Sequence, residues 1–311
     1  MMNTPLLFIT FNRPEKTAQV FKEISKIKPS KLYVSCDGPR QGIVFDEERV
    51  SKTRDIVTNI NWPCEIKTLF NDYNLGCRKG CEKAINWFFD NEEKGIILED
   101  DCLPHKDFFY FCENLLEYYL DNENVSFITG NNFQNNKLRG DASYYFSRYL
   151  HVWGWATWKK SWKKYYNQDM SFWPEWSESD HFKNIMCDKI EHKYWKNIFN
   201  TMYANKIDTW DIPLIANLFC KGGLIVTPNV NLVTNIGFGQ NATHTLYEDD
   251  INSNLPIYEI ETLTHPKKVE RDIEADIWTF NNHFGGRNMR FPYKFIFHIK
   301  KIFKNILKII K

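Results

Sequence analysis

The chain has 311 residues, long enough for one large α/β domain or two modest ones. Its 40 Lys and Arg nearly cancel its 39 Asp and Glu, so no global charge points to nucleic acid as a partner. Aromatics are abundant, with 24 Phe, 15 Tyr and 11 Trp, which provides for a sizeable core with some Trp left for a binding surface.

The opening "MMNTPLLFITFNRPEK" has no basic segment before an apolar one, and its apolar run ends at Asn12, too short for export. No stretch reaches the ~20 apolar residues that span a bilayer. The eight cysteines include no CxxC pair, and a chain of this size needs no disulfide framework. The expectation is a cytoplasmic protein with reduced, mostly buried thiols.

Residues 5–11 predict a short apolar strand. A helix follows, opened by Pro14, with Ala18, Val20, Phe21, Ile24 and Ile27 on one face. Strands are predicted at 31–40, 64–72, 94–101 and 125–133, and helices at 45–60, 76–89 and 105–120. Such alternation implies crossover units and a mainly parallel sheet covered on both faces. Beyond residue 140 the chain turns aromatic and basic ("YYFSRYLHVWGWATWKKSWKKYY"). It continues with helical stretches at 181–203 and 208–223, then a strand and a glycine-containing loop, "NIGFGQNATHT". No repeat or low-complexity linker interrupts it.

Ligands of parallel α/β sheets bind beyond the carboxyl ends of the strands. Here those ends are polar: Thr10-Phe11-Asn12-Arg13, Ser35-Cys36-Asp37-Gly38, Asn71-Asp72, Glu99-Asp100-Asp101 and Gly130-Asn131-Asn132. In "GIILEDDCLP" an apolar strand runs straight into three carboxylates. That pattern suits a hard cation such as Mg²⁺ or Mn²⁺, which takes one or two protein carboxylates plus substrate phosphates. A solvated acidic turn is the plain alternative.

The ordered set "FITFNRP", "SCDGPR", "NLGCRKG", "GIILEDDCLP", "FITGNNF", "HVWGWATWKKSW" and "NIGFGQNATHT" resembles the bacterial glycosyltransferases of the GT-A fold, over roughly residues 4–246. It is similar to the metal-dependent N-acetylglucosaminyltransferases, whose DXD motif is often written EDD. The resemblance implies a Rossmann-like, mainly parallel sheet flanked by helices. It makes 1–250 the catalytic domain, 251–290 a C-terminal extension and 291–311 a basic amphipathic tail.

The resemblance also implies roles. Thr10, Asn12 and Arg13 would meet the nucleotide, and Asp37 the uracil or ribose. Asn74 and Gly76 would precede a nucleotide-facing helix. Arg78 would meet a phosphate or pair with the acidic cluster. Asp101 would ligate Mn²⁺ or Mg²⁺ directly, with Glu99 and Asp100 nearer the ribose or the metal's waters. His244 would complete the metal shell, or else be an ordinary loop histidine, and Gly237 and Gly239 would let its loop fold over the diphosphate.

An inverting transfer needs a base for the acceptor hydroxyl. In "DTWDIP" the resemblance favours Asp211 over Asp208, while both also suit a helix N-terminus. Trp153 and Trp155, flanking Gly154, are the candidates for stacking on an acceptor sugar. Trp158 and Trp162, four apart, read as core.

The tail carries Phe295, Ile299, Ile302, Phe303, Ile306, Ile309 and Ile310 at helical spacing, with Lys300, Lys301, Lys304, Lys308 and Lys311 largely elsewhere. That pattern fits an amphipathic helix on an anionic membrane surface, here the inner face of the cell membrane; docking on the protein's own core or a second copy is the alternative. The expected function is transfer from a nucleotide-diphosphate sugar, a UDP-sugar first, to a glycan or lipid-linked glycan in surface polysaccharide synthesis. Two rivals stand beside it. A sugar nucleotidyltransferase would carry a glycine-rich loop after the first strand, which "TFNRPEKT" lacks. The other is a non-catalytic carbohydrate-binding or interaction protein on the same scaffold.

Overall fold

A computed structural model describes residues 1–238, 252–293 and 295. The chain opens with β1 (Leu6–Thr10), α1 (Pro14–Ile27), β2 (Lys31–Cys36), α2 (Asp46–Thr58), β3 (Glu65–Phe70), α3 (Gly76–Asn91) and β4 (Lys94–Glu99). Next come β5 (Cys102–Pro104), α4 (Lys106–Tyr118), β6 (Val125–Thr129), β7 (Tyr144–Ser147), β8 (Trp155–Trp158) and α5 (Lys159–Tyr165). The remainder is α6 (Trp173–Trp176), α7 (Asp180–Ile185), α8 (Lys189–Tyr203), α9 (Asp211–Lys221), β9 (Leu224–Pro228), β10 (Val233–Asn235) and α10 (Ile273–Asn282).

Eight strands form one sheet in the order β3-β2-β1-β4-β8-β6-β9-β7. β8 runs against both β4 and β6, and β7 against β9, so the other six strands share a direction. This is the expected α/β class, a mainly parallel sheet with helices on both faces. β1 and β4 are buried at every apolar position, because both faces are covered. Successive side chains go to opposite faces. Leu7, Tyr33 and Ile97 join one core with Phe88, Phe127, Trp155 and Phe219. Leu6, Phe8, Leu32, Val34, Ile96 and Leu98 join the other with Phe21, Phe108 and Leu115.

The chain builds outward from β1 to β2 and β3, then returns to lay β4 on the other side of β1. The crevice at such a reversal opens between the carboxyl ends of β1 and β4. The register pairs Ile9 with Glu99, so Asn12 and Arg13 emerge beside Asp100 and Asp101.

The aromatic region contributes two strands. "WATW" is a strand inserted antiparallel between β4 and β6, and "YYFS" is the edge strand β7. The helix expected over 181–203 is two helices, and the Asp188 carboxylate caps the second by accepting from the Ile190 and Glu191 amides at 2.8 and 2.9 Å. Trp158 and Trp162 are buried as expected.

The 252–290 segment packs back on the sheet domain. His265 stacks on Tyr118, Gln134 donates to the Ala275 carbonyl, and the Asp276 carboxylate accepts from Ser147 and Arg271. The amphipathic tail beyond Tyr293 lies outside the described residues, apart from exposed Phe295.

Candidate active site

The acidic turn after β4 is held by the loop after β1. Arg13 donates from Nη2 to Asp100 and from Nη1 to Asp101 Oδ2 at 2.8 Å, and the Phe11 amide donates to Asp100 at 3.2 Å. Asp100 is 2% exposed and Asp101 13%. Burial works against the Arg13 charge, but Asp100, Asp101 and Glu99 outweigh it and hold the guanidinium protonated. Burial, then the charges of Asp101, Cys77 and Asp100, push the Glu99 carboxyl well above the carboxylate range. The Glu99 carboxyl accepts no hydrogen bond from the described residues. Three carboxyls thus face one arginine. Lys16, on the first turn of α1, feels the same cluster: burial and Arg13 lower its amine, while Asp101 and Asp100 pull the other way.

A second loop is zipped onto this turn. β10 pairs antiparallel with β5, setting Asn235 opposite Cys102. The Ile236 amide donates to the Asp101 carbonyl at 2.8 Å, and the Gly237 amide to Asn235 Oδ1 at 2.6 Å. A Cβ at residue 237 would overlap the Asp101 carboxylate, so a side chain there would have to displace it. His244 and Gly239 lie outside the described residues. Among the described residues no three His, Cys, Asp or Glu side chains form a metal-ligating group.

Several nucleotide-facing expectations are corrected by what the side chains already bind. Thr10 is buried and donates to the Ser35 carbonyl at 2.9 Å. Asn12 donates to Asp46 at 2.6 Å, and Asp46 also takes the Arg40 guanidinium. Asp37 accepts from the Gly38, Leu75 and Gly76 amides and from Asn71 and Asn74, at 2.9–3.2 Å. Its oxygens are filled, so it shapes the loop before α3 and offers no free carboxylate to a ribose. Asn74 is engaged with Asp37 and the Gly38 carbonyl. Gly76 starts α3 at φ +81°, a backbone that favours glycine. Arg78 bonds Asn205 and the Gln168 carbonyl. Arg13, not Arg78, is the arginine on the acidic cluster.

The acceptor-side residues separate likewise. Trp155 is 0% exposed on β8 and packs on Trp162 and Trp210, so it is core and cannot face a sugar. Gly154 is also interior: its carbonyl accepts from the Gly130 amide, and a Cβ there would meet Val233 and Leu98. Trp153 is half-buried and lines a cavity of about 180 Å³ with Phe133, His151, Tyr194, Trp195, Asp211 and Phe284 among its walls. Asp211 is the first residue of α9 and accepts from the Thr209 hydroxyl. Asp208 does not cap α9, whose N-cap is Trp210. It is exposed beside Gly76, its Oδ2 3.2 Å from where a Cβ would stand.

No single stretch of the sequence marks the cavity as a unit. Its walls come from five separate segments, and only Trp153 and Asp211 carried a signal. Beneath it lies a buried polar knot: Glu191 accepts from Arg148 and Tyr149, and Asp276 from Ser147. The knot ties α8 and α10 to the end of β7 and the residues that follow it.

Cavity and acidic turn are linked through one ring contact. The Trp153 ring meets the Phe238 ring at 5.7 Å, and Phe238 follows Gly237, which abuts Asp101.

No protein-family model and no curated protein sequence matches the chain. Among solved structures it is similar to HddC from Yersinia pseudotuberculosis, with 11% identity over 50% of this chain and 77% of that one and a TM-score of 0.29. It is similar to the glycosyltransferase GlyE of Streptococcus pneumoniae TIGR4, with 11% identity over 73% of this chain and 45% of that one and a TM-score of 0.33. The 4-diphosphocytidyl-2C-methyl-D-erythritol synthase of Anaerococcus prevotii aligns at 11% identity over 70% of this chain and 99% of that one, with a TM-score of 0.30. Likenesses this weak say nothing of what this chain does.

Proposed function

We propose that the protein is a metal-dependent, inverting glycosyltransferase that uses a nucleotide-diphosphate sugar, a UDP-sugar first. One observation carries the reading: an acidic turn at the sheet's reversal point is linked, through the Phe238–Trp153 ring contact, to an aromatic cavity with one carboxylate among its described walls. A donor diphosphate at the turn and an acceptor in the cavity would then be neighbours.

The acidic turn fits a divalent cation on its charge. The Glu99 carboxyl takes no hydrogen bond from the described residues, and Arg13 neutralises only part of the cluster. Asp101 would hold Mn²⁺ or Mg²⁺, with Glu99 beside it and His244 as a further expected ligand. When bound, the ion supplies the positive charge that neutralises a leaving diphosphate. Arg13 keeps Asp100 and Asp101 at a fixed separation while that charge comes and goes. Asp211 takes the proton of the acceptor hydroxyl. The Thr209 hydroxyl fixes the orientation of that carboxylate, and Trp153 supplies a face for the acceptor ring.

The acceptor is a glycan or lipid-linked glycan. No described helix is long and apolar enough to cross a membrane. Contact with an anionic surface is assigned to the basic tail.

Calorimetry with UDP, with and without Mn²⁺, tests the donor half, together with release of UDP from UDP-sugars. Metal-supported UDP binding that Asp101→Ala loses is the expected result. Equal UDP affinity in Asp101→Ala and wild type at saturating Mn²⁺ would remove the ligand role. Pyrophosphate release from UTP and a sugar 1-phosphate would instead make the protein a nucleotidyltransferase.

A further inference from the structure

We infer that the cavity beside Asp211 takes one neutral sugar ring bearing an apolar substituent, an N-acetyl or 6-deoxy methyl group, and rejects acidic sugars. The inference rests on the glycosyl-transfer reading and names the acceptor class of that same site.

Size comes first. About 180 Å³ is well under the ~300–1,000 Å³ of drug-sized ligand pockets, so the walls themselves enclose about one ring. Wall chemistry comes second. Phe133, Trp153 and Phe284 present aromatic surface, and Leu150, Ile212 and Ile215 complete an aliphatic side. Such walls match the C–H face of a pyranose and a methyl group, and they solvate a second polar face poorly.

Hydrogen-bonding capacity comes third, and it separates a sugar from an alkyl chain. Tyr194 lines the cavity with a phenol that burial keeps protonated, and Asp211 is a carboxylate acceptor for a sugar hydroxyl.

Charge comes fourth. No Lys or Arg is among the described residues lining the cavity, and Asp211 is its one carboxylate. His151 cannot serve as a cation, because burial and the neighbouring His283 push it well below its ordinary value. A uronic acid would bring its carboxylate toward Asp211 with no Lys or Arg on the described walls to neutralise it.

Saturation-transfer NMR on the full chain tests the assignment without donor or turnover. The probes are methyl N-acetylglucosaminide, methyl fucoside, methyl glucuronide and n-octanol. Either neutral glycoside should bind at least about 10-fold tighter than the glucuronide, a difference of about 1.4 kcal/mol. Ile198→Trp, which fills the cavity from α8, should abolish that binding while Mn²⁺-supported UDP binding persists. Equal or tighter glucuronide binding, binding of octanol alone, or no binding of any glycoside at millimolar concentration would overturn it. Donor hydrolysis without glycoside binding sinks the inference and leaves transfer standing; glycoside binding with no UDP-sugar turnover does the reverse.

Discussion

Gly237 and Asp101 occupy adjoining space so closely that a side chain at 237 would have to begin inside the Asp101 carboxylate. The backbone on either side is pinned by the Ile236 amide on the Asp101 carbonyl and by the Asn235–Cys102 pairing. The acidic turn and residues 235–237 are therefore held together as one unit. Gly237→Ala should cost about 1–3 kcal/mol by overpacking and lower metal-supported UDP affinity at least ~10-fold. Urea unfolding and calorimetry measure the two; unchanged values in both would mean the loop gives way freely.

Arg13 offsets two carboxylates with little solvent. Arg13→Met leaves Asp100 and Asp101 without their cation and should destabilise the fold by about 3–5 kcal/mol. Arg13→Lys keeps the charge but loses the two-pronged geometry, so it should recover only part of the loss. Denaturant midpoints of the three proteins order the effects, and a wild-type midpoint for Arg13→Met would show the cluster to be self-sufficient.

Asp211 and Asp208 divide differently than their spacing alone suggests. Asp211 faces the cavity, and Asp208 stands beside Gly76 at the start of α3. Asp211→Asn should lower turnover by roughly 10²–10⁴-fold with donor binding intact. Asp208→Asn should change turnover far less. The opposite ranking in steady-state kinetics would give the base role to Asp208.

Asp46 contributes stability that depends on pH. The Arg40 side chain draws its carboxyl down to about 2 from an ordinary 3.8, with the Arg40 amide and Asn12 assisting against burial. A carboxyl lowered in the folded state stabilises above its unfolded value and loses that contribution as pH falls. The melting temperature of wild type should exceed that of Asp46→Asn above pH 3.8, and the gap should close as pH falls through about 2. A gap independent of pH over that range would mean the pairing is not electrostatic.

Much of the frame is readable in one dimension. The continuous apolar runs of β1 and β4 announce strands buried on both faces, and the periodicity of α1 announces its buried side. Alternation of the two implies a parallel sheet, and strand direction gathers the polar ends on one rim. The acidic turn at the rim follows from order along the chain alone.

Only the folded chain decides which of those polar groups are free. Asp37 reads as an available acid at a strand end until residues 71–76 bring their N–H groups to it. Arg13 and Arg78 look alike in sequence, but the β1–β4 register delivers the first to the acidic turn, and α3 carries the second toward Gln168 and Asn205. Trp153 and Trp155 sit two apart, and the positive-φ turn at Gly154 sends one to the cavity and the other into the core. Periodicity encodes which side chains leave water, a property each segment carries in its own pattern. Whether a buried or half-buried polar group is spent or available depends on donors and acceptors that arrive from distant segments, and that pairing exists only once the chain has closed on itself.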